Sequence, residues 1–201
     1  LSLCNKNMEN MDTNNNDGKA KHDLLAEVCM AAKYEGESIK THYPKYQTAY
    51  GNFPFELCTA LARSFADIGD IVRGKDLYSG NKKENKQRKQ LDDKLKRIFG
   101  DIYKDVTSGR NGAEARYKKD EDGNYSKLRE DWWTVNRATV WKAITCSDEL
   151  TGASYFHATC SMNGSGAQAN HYCRCNNDQP NADKANTDPP TYFDYVPQYL
   201  R

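Results

Sequence analysis

A chain of 201 residues can bury one sizeable core, but its apolar fraction is only 37% and its mean hydropathy is −0.96, with no apolar run long enough to span a bilayer. Lys and Arg (29) nearly cancel Asp and Glu (28), so net charge gives no argument for a nucleic-acid or acidic-membrane partner; any electrostatic function must rest on local segregation. Seven cysteines, with 13 Tyr against 6 Phe, point to an extracellular, disulfide-bearing surface protein, and the odd count leaves one sulfur free or paired outside the chain.

In chain order, the first residues do not read as a signal peptide, and residues 5–18, rich in Asn, Asp and Met, read as a solvated loop. A helical pattern begins at Lys19 with Leu24, Leu25, Val28, Cys29 and Ala32. The tyrosine-rich stretch from Tyr34 to Asn52, containing Pro44, reads as irregular with short helical pieces. The next helix is bounded by Pro54 at its first turn and Gly74 at its stop, with Leu57, Cys58, Leu61, Ala62, Phe65, Ile68 and Val72 on one side. From Lys82 to Val106, Leu91, Leu95, Ile98, Phe99, Ile102 and Val106 share a face, opposite Lys82, Lys86, Lys89 and Lys96. A glycine-containing charged loop, 108–124, follows. The last strong helix runs from Ser126 to about Cys146, with one stripe of Leu128, Trp132, Val135, Thr139 and Cys146 and a second of Trp133, Val140 and Ile144. Residues 19–146 are therefore the main helical core.

Residues 147–191 hold too few aliphatic side chains to build a core, and disulfides must shape this cysteine-containing irregular segment. Tyr192 to Arg201 reads as the entry to another helix with Pro197 in its first turn, and stops uncapped, so the chain reads as a piece of something larger. No strand-like alternation is found. The expected class is all-α: a disulfide-stabilised helical bundle with long irregular loops.

Candidate chemistry is sparse. Asp120-Glu121-Asp122 resembles the start of a calcium loop, but its sixth position is Tyr125 and its twelfth Asp131, where Gly and a bidentate Glu belong. His157, Cys160, His171, Cys173 and Cys175 lack zinc-module spacing, and in a secreted-looking chain disulfides are the default, which also removes a Cys–His nucleophile. Gly164-Ser165-Gly166 lacks the elements of a dinucleotide loop. Asn124 and Asn163 begin glycosylation sequons that indicate exposed loops. No metal, no cofactor and no catalysis are expected. The basic segment differs: between Arg73 and Lys104 there are eleven Lys/Arg against five Asp/Glu. The cluster from Lys82 to Lys89 resembles basic clusters that bind heparin-like polysaccharides. The alternatives are an ordinary solvated helix face and a nucleic-acid surface, the latter fitting badly with a disulfide-bearing, extracellular chain.

Four stretches carry a family resemblance: Val28 to Gly36, Ala62 to Tyr78, Asp131 to Arg137, and Asp194 to Arg201. In that order they resemble the alpha-type Duffy-binding-like domain of erythrocyte membrane protein 1, the variant surface antigen of Plasmodium falciparum. The resemblance spans nearly the whole chain, 1–201, as a fragment with further sequence on both sides. It implies a non-catalytic host-cell adhesion module on the surface of the infected erythrocyte, held by a transmembrane segment outside this stretch. It implies binding to red-cell heparan-sulfate-like or blood-group glycans or complement receptor in rosetting, with antibodies as further partners and no nucleic acid. The candidate glycan-binding residues are Lys82, Lys83, Lys86, Arg88, Lys89, Lys96 and Arg97. The alternative is a structural spacer and antibody target. The resemblance further implies a Cys58–Cys146 bridge and a pairing of Cys4 with a preceding cysteine. Cys29, Cys160, Cys173 and Cys175 would then form two bridges, with Cys173–Cys175 disfavoured by strain.

Overall fold

The computed structural model describes residues 3–12, 18–50, 55–77, 79–108, 116–117, 123–162, 165–182, 184 and 188–201. A short helix α1 (Lys6–Glu9) precedes four long ones: α2 (Ala20–Tyr50), α3 (Phe55–Arg73), α4 (Lys82–Thr107) and α5 (Ser126–Ile144). Three 3-10 turns (Asp148–Leu150, Phe193–Tyr195 and Gln198–Leu200) and one small hairpin complete the described elements. The disulfide-bearing helical bundle expected from the sequence is what the chain forms.

The boundaries have local causes. Asn81 caps α4 through a reciprocal box: its side chain accepts from the Glu84 N–H while Glu84 accepts from the Asn81 N–H. The helix therefore does begin early enough to carry the lysines. At the end of α3, Gly74 adopts φ +73°. Its N–H donates to Ile71 O and that of Lys75 to Asp70 O, a paired C-terminal cap. Pro54 lies outside the described residues.

The core lies between α2, α3 and α5, with α4 along one side. Val28, Ala31 and Ala32 of α2, Leu61, Phe65 and Val72 of α3, and Trp133, Val140 and Trp141 of α5 are all buried. Phe65 sits between the two tryptophan rings, 5.1 Å from Trp133 and 5.2 Å from Trp141 by centroid. Gly36 lets α2 approach α5: a Cβ there would stand 2.2 Å from the Ile144 carbonyl oxygen. Gly69 does the same for Trp133, at 2.7 Å.

Several sequence expectations need correction. The Tyr34–Asn52 stretch is helical as far as Tyr50, as a continuation of α2, in which Glu35, Gly36 and Lys40 are buried. The loop expected over 5–18 contains α1, and Met8 and Met11 are buried against α2 and α4. On α5 the buried arc is Leu128, Arg129, Trp132, Trp133, Arg137, Val140, Trp141 and Ile144; Val135 is 79% exposed, and Thr139 and Cys146 are exposed too. Two arginines thus take places in the core face that the apolar pattern had assigned to other residues. The irregular segment contains an antiparallel hairpin, β1 (Cys160–Met162) with β2 (Ser165–Ala167), too short to alternate visibly in sequence. Tyr192–Arg201 forms two 3-10 turns rather than a helix entry.

The cysteines also pair differently. Cys58 is bonded to Cys173 and Cys160 to Cys175, while Cys4, Cys29 and Cys146 are free. The expected Cys58–Cys146 bridge is absent for a geometric reason. Helix α5 ends at Ile144, so the helical period that put Cys146 beside Trp132 does not extend to it, and its side chain faces solvent. Cys173 instead lies under the helix, its carbonyl accepting the Trp141 indole N–H at 3.0 Å. Cross-linking residues 115 apart removes about 5 kcal/mol of denatured-state entropy in the loop-closure picture, and the 15-residue bridge about 3 kcal/mol. The Cys58–Cys173 bridge fastens the poorly apolar segment 147–191 to α3, and the Cys160–Cys175 bridge closes a loop within that segment.

Candidate functional site: a basic face on α4

Along α4 the apolar side chains Leu91, Leu95, Ile98, Phe99 and Ile102 are buried. At about 100° per residue, Lys82, Lys86, Lys89, Lys96 and Arg97 fall within about 100° of arc on the opposite side, with Lys83 just beyond. Lys82, Lys83, Lys86, Lys89 and Arg97 are exposed. From Lys82 to Arg97 the row is about 22 Å long at 1.5 Å per residue.

Two of the seven candidates stand apart. Lys96 forms an i,i+4 pair with Asp92 at 2.9 Å, so part of its charge is already met. Arg88 points about 120° away from Lys82, is half-buried and pairs with Asp76. It belongs to the junction between α4 and the end of α3, not to the exposed row. Asp93 interrupts the row from within and is exposed. The structure therefore brings five cations together freely, a sixth in a pair, and separates Arg88 from them.

Opposite charges elsewhere are consumed internally. Arg129, buried on α5, donates to the Val72 carbonyl at 2.6 Å and, beside the Gly74 N–H, to the Ile71 carbonyl at 3.1 Å, both at the end of α3, and pairs with Asp92 at 3.1 Å. Arg137 binds Asp194 through two hydrogen bonds of 2.8 Å and the Thr191 carbonyl through a third. The Trp133 indole N–H also donates to Asp194, at 2.9 Å. Arg174, fully buried, holds Asp178 at 3.1 Å and Thr145 Oγ1 at 2.9 Å. Sequence reading missed this set, since Arg and Asp in an amphipathic pattern look like solvent positions. The only signal was their place beside Trp132–Trp133 and within Phe193–Tyr195.

Cys160, Cys173 and Cys175 are in disulfides and unavailable to a metal or as nucleophiles. Burial pushes the Cys29 thiol up to about 11, and burial followed by the nearby Glu35 carboxylate raises that of Cys4, so neither is a thiolate near neutral pH. Among the described residues, no three His, Cys, Asp or Glu side chains gather as a metal site, and no helix is long and apolar enough to cross a membrane. The calcium-like run 120–122 and the Asn163 sequon lie outside the described residues. Asn124 is half-buried in the turn before α5.

The described residues thus form a disulfide-bearing helical scaffold with a charged exposed row on α4. The sequence matches the Duffy binding domain family over residues 1–201, and the chain belongs to that family, whose domains are adhesion modules and not enzymes. Its fold is shared with the N-terminal NTS-DBL1-alpha and CIDR-gamma double domain of the PfEMP1 protein from the Plasmodium falciparum varO strain, with TM-score 0.70 and 38% identity over 98% of this chain and 25% of that one. The ICAM-1-binding PfEMP1 IT4var13 DBLbeta domain is 31% identical, with TM-score 0.69, over 99% of this chain and 39% of that one. A second DBLbeta domain, of PF11_0521 PfEMP1 and bound to human ICAM-1, is 26% identical over 86% of this chain, with TM-score 0.59. The chain thus spans between a quarter and two-fifths of the length of these relatives. No curated protein matches it.

Proposed function

We propose that this chain is part of an alpha-type adhesion domain of a variant surface antigen on the infected erythrocyte, which binds red-cell glycans through the basic row of α4. The observation that carries the reading is the exposed row Lys82, Lys83, Lys86, Lys89 and Arg97 on a capped helix, in a chain whose formal charge is only +1. A sulfated, heparan-like polymer has the charge and reach to lie along such a row; blood-group glycans and complement receptor are the other red-cell partners of the reading. The higher identity to the structure that contains a DBL1-alpha domain than to the DBLbeta domains supports the alpha type, and the ICAM-1 complexes of relatives support adhesion to host surface glycoproteins as the general role.

Binding of this kind releases counterions, so retention on immobilised heparin falls steeply with salt. Lys82, Lys86, Lys89 and Lys96→Ala together should move elution to clearly lower salt, with Lys96 contributing least because of Asp92. Arg88→Ala should leave elution unchanged, since that guanidinium is turned toward Asp76. Unchanged retention of the fourfold variant would remove the site. Blank heparin and red-cell binding by the parent chain would favour a spacer and antibody target instead.

A further inference from the structure

Asp93 sits among the exposed cations of α4. At about 100° per residue it falls within about 20° of Lys82 and Lys86 and about 40° from Lys89 and Arg97, which stand one turn before and after it. It is exposed, and among the described residues its carboxylate has no ion-pair or hydrogen-bond partner. Other acids of the helix are engaged: Glu84 in the Asn81 cap, Asp92 with Lys96 at 2.9 Å and Arg129 at 3.1 Å, and Asp101 with Lys104 at 2.8 Å. Asp105 points about 120° away from Asp93.

An acid that serves only to steady a helix closes on a cation four residues off, as Asp92 does on Lys96. Asp93 has such a cation on each side and closes on neither. Its charge therefore stands in the surface and divides the row. Lys82, Lys83, Lys86 and Lys89 lie before it, and Arg97 with the paired Lys96 after it. Lys89 and Arg97 are about 12 Å apart along the helix at 1.5 Å per residue. A polyanion along the row meets attraction at both ends of this gap and repulsion within it. One sulfate about 6–7 Å from a carboxylate loses about threefold in affinity at low ionic strength, and a chain sulfated at every unit sets more than one there. An uncharged stretch over the gap avoids that loss and keeps both flanking contacts. We propose that Asp93 is a specificity residue of the basic row, favouring polyanions whose sulfated blocks are separated by an uncharged stretch over uniformly sulfated ones. The assignment rests on the glycan reading and adds to it the sulfation pattern of the ligand.

The test uses two heparan-type oligosaccharides of equal length, each long enough to span the row. One is sulfated throughout; the other carries unsulfated units at its centre. Their affinities for the parent, Asp93→Asn and Asp93→Glu are measured by calorimetry at low salt, with dichroism to check the fold. The parent should hold the interrupted chain at least as tightly as the uniform one, despite its lower charge. In Asp93→Asn the ratio of the two affinities should shift toward the uniform chain by about threefold or more. Asp93→Glu, which keeps the charge, should keep the parent's ratio. A parent that prefers the uniform chain overturns the assignment. So does an Asp93→Asn variant in which both affinities rise, fall or stay together, since a general charge or structural effect moves the two ligands alike. A parent that binds neither oligosaccharide removes the glycan reading itself, and this assignment with it.

Discussion

Asp194 is where the fold concentrates the most electrostatic risk. Its side chain is fully buried and receives three hydrogen bonds, two from Arg137 and one from Trp133. Asp194→Ala leaves the Arg137 guanidinium in the core with the Thr191 carbonyl as its one remaining hydrogen-bond acceptor. Breaking a buried pair from one side costs about 3–5 kcal/mol, since a charge is left unmet. Domains of this size are stable by about 5–15 kcal/mol in total. With a urea slope of about 2 kcal/mol/M, the midpoint should fall by about 1.5–2.5 M, read by near-ultraviolet dichroism of the Trp133 environment. Replacing both partners, Asp194→Leu with Arg137→Met, removes the stranded charge and should recover most of the loss. A single variant that loses less than about 1 kcal/mol, or a double variant weaker than the single one, would refute this account of the clasp.

Non-reduced peptide mapping should recover Cys58 joined to Cys173 and Cys160 joined to Cys175, with Cys146 the thiol that alkylates first in the native state; a Cys58–Cys146 peptide would contradict the fold. Gly36→Ala places a Cβ against the backbone of Ile144, so it should cost about 1–3 kcal/mol or more by forcing α2 and α5 apart, whereas Gly18→Ala, with open space but φ +74°, should cost about 1 kcal/mol from backbone strain alone; chemical denaturation distinguishes them. Burial alone would raise the Asp131 carboxyl, but hydrogen bonds from Arg116, Tyr117 and Lys127 hold it below its usual range. Its contribution is therefore present above the unfolded carboxylate pKa and lost as pH falls through the lower folded value. Asp131→Asn should accordingly flatten the acid side of the stability–pH curve and leave the neutral side parallel to the parent.

Much of this architecture was legible in the sequence because α3 and α4 carry strong 3.6-residue periods. Gly74 and Asn81 punctuate them with residues whose capping chemistry is local. What escaped had non-local causes. Helix α2 runs on through Tyr34 to Tyr50, with Glu35, Gly36 and Lys40 buried, which the tyrosines and Pro44 of this stretch do not reveal. Arg129 and Arg137 are buried because partners at positions 92 and 194 reach them across the fold, so a residue-type pattern assigned their places to Val135 and Thr139. The Cys58–Cys146 pairing was implied by the family resemblance, and the helical stripe that placed Cys146 inward could not correct it, because α5 ends at Ile144 and Cys58 is bonded to Cys173. The basic row was visible as charge segregation, yet only the fold shows Arg88 turned toward Asp76 and Lys96 sharing its charge with Asp92.

The measurement that bears most directly on the adhesion account is red-cell binding by this chain, with and without soluble heparin, beside the Lys82, Lys86, Lys89 and Lys96→Ala variant. The account predicts binding by the parent, inhibition by heparin, and binding reduced about tenfold or more in a variant of unchanged dichroism, as expected when several counterion-releasing contacts are removed. Equal binding by parent and variant, indifferent to heparin, would contradict it.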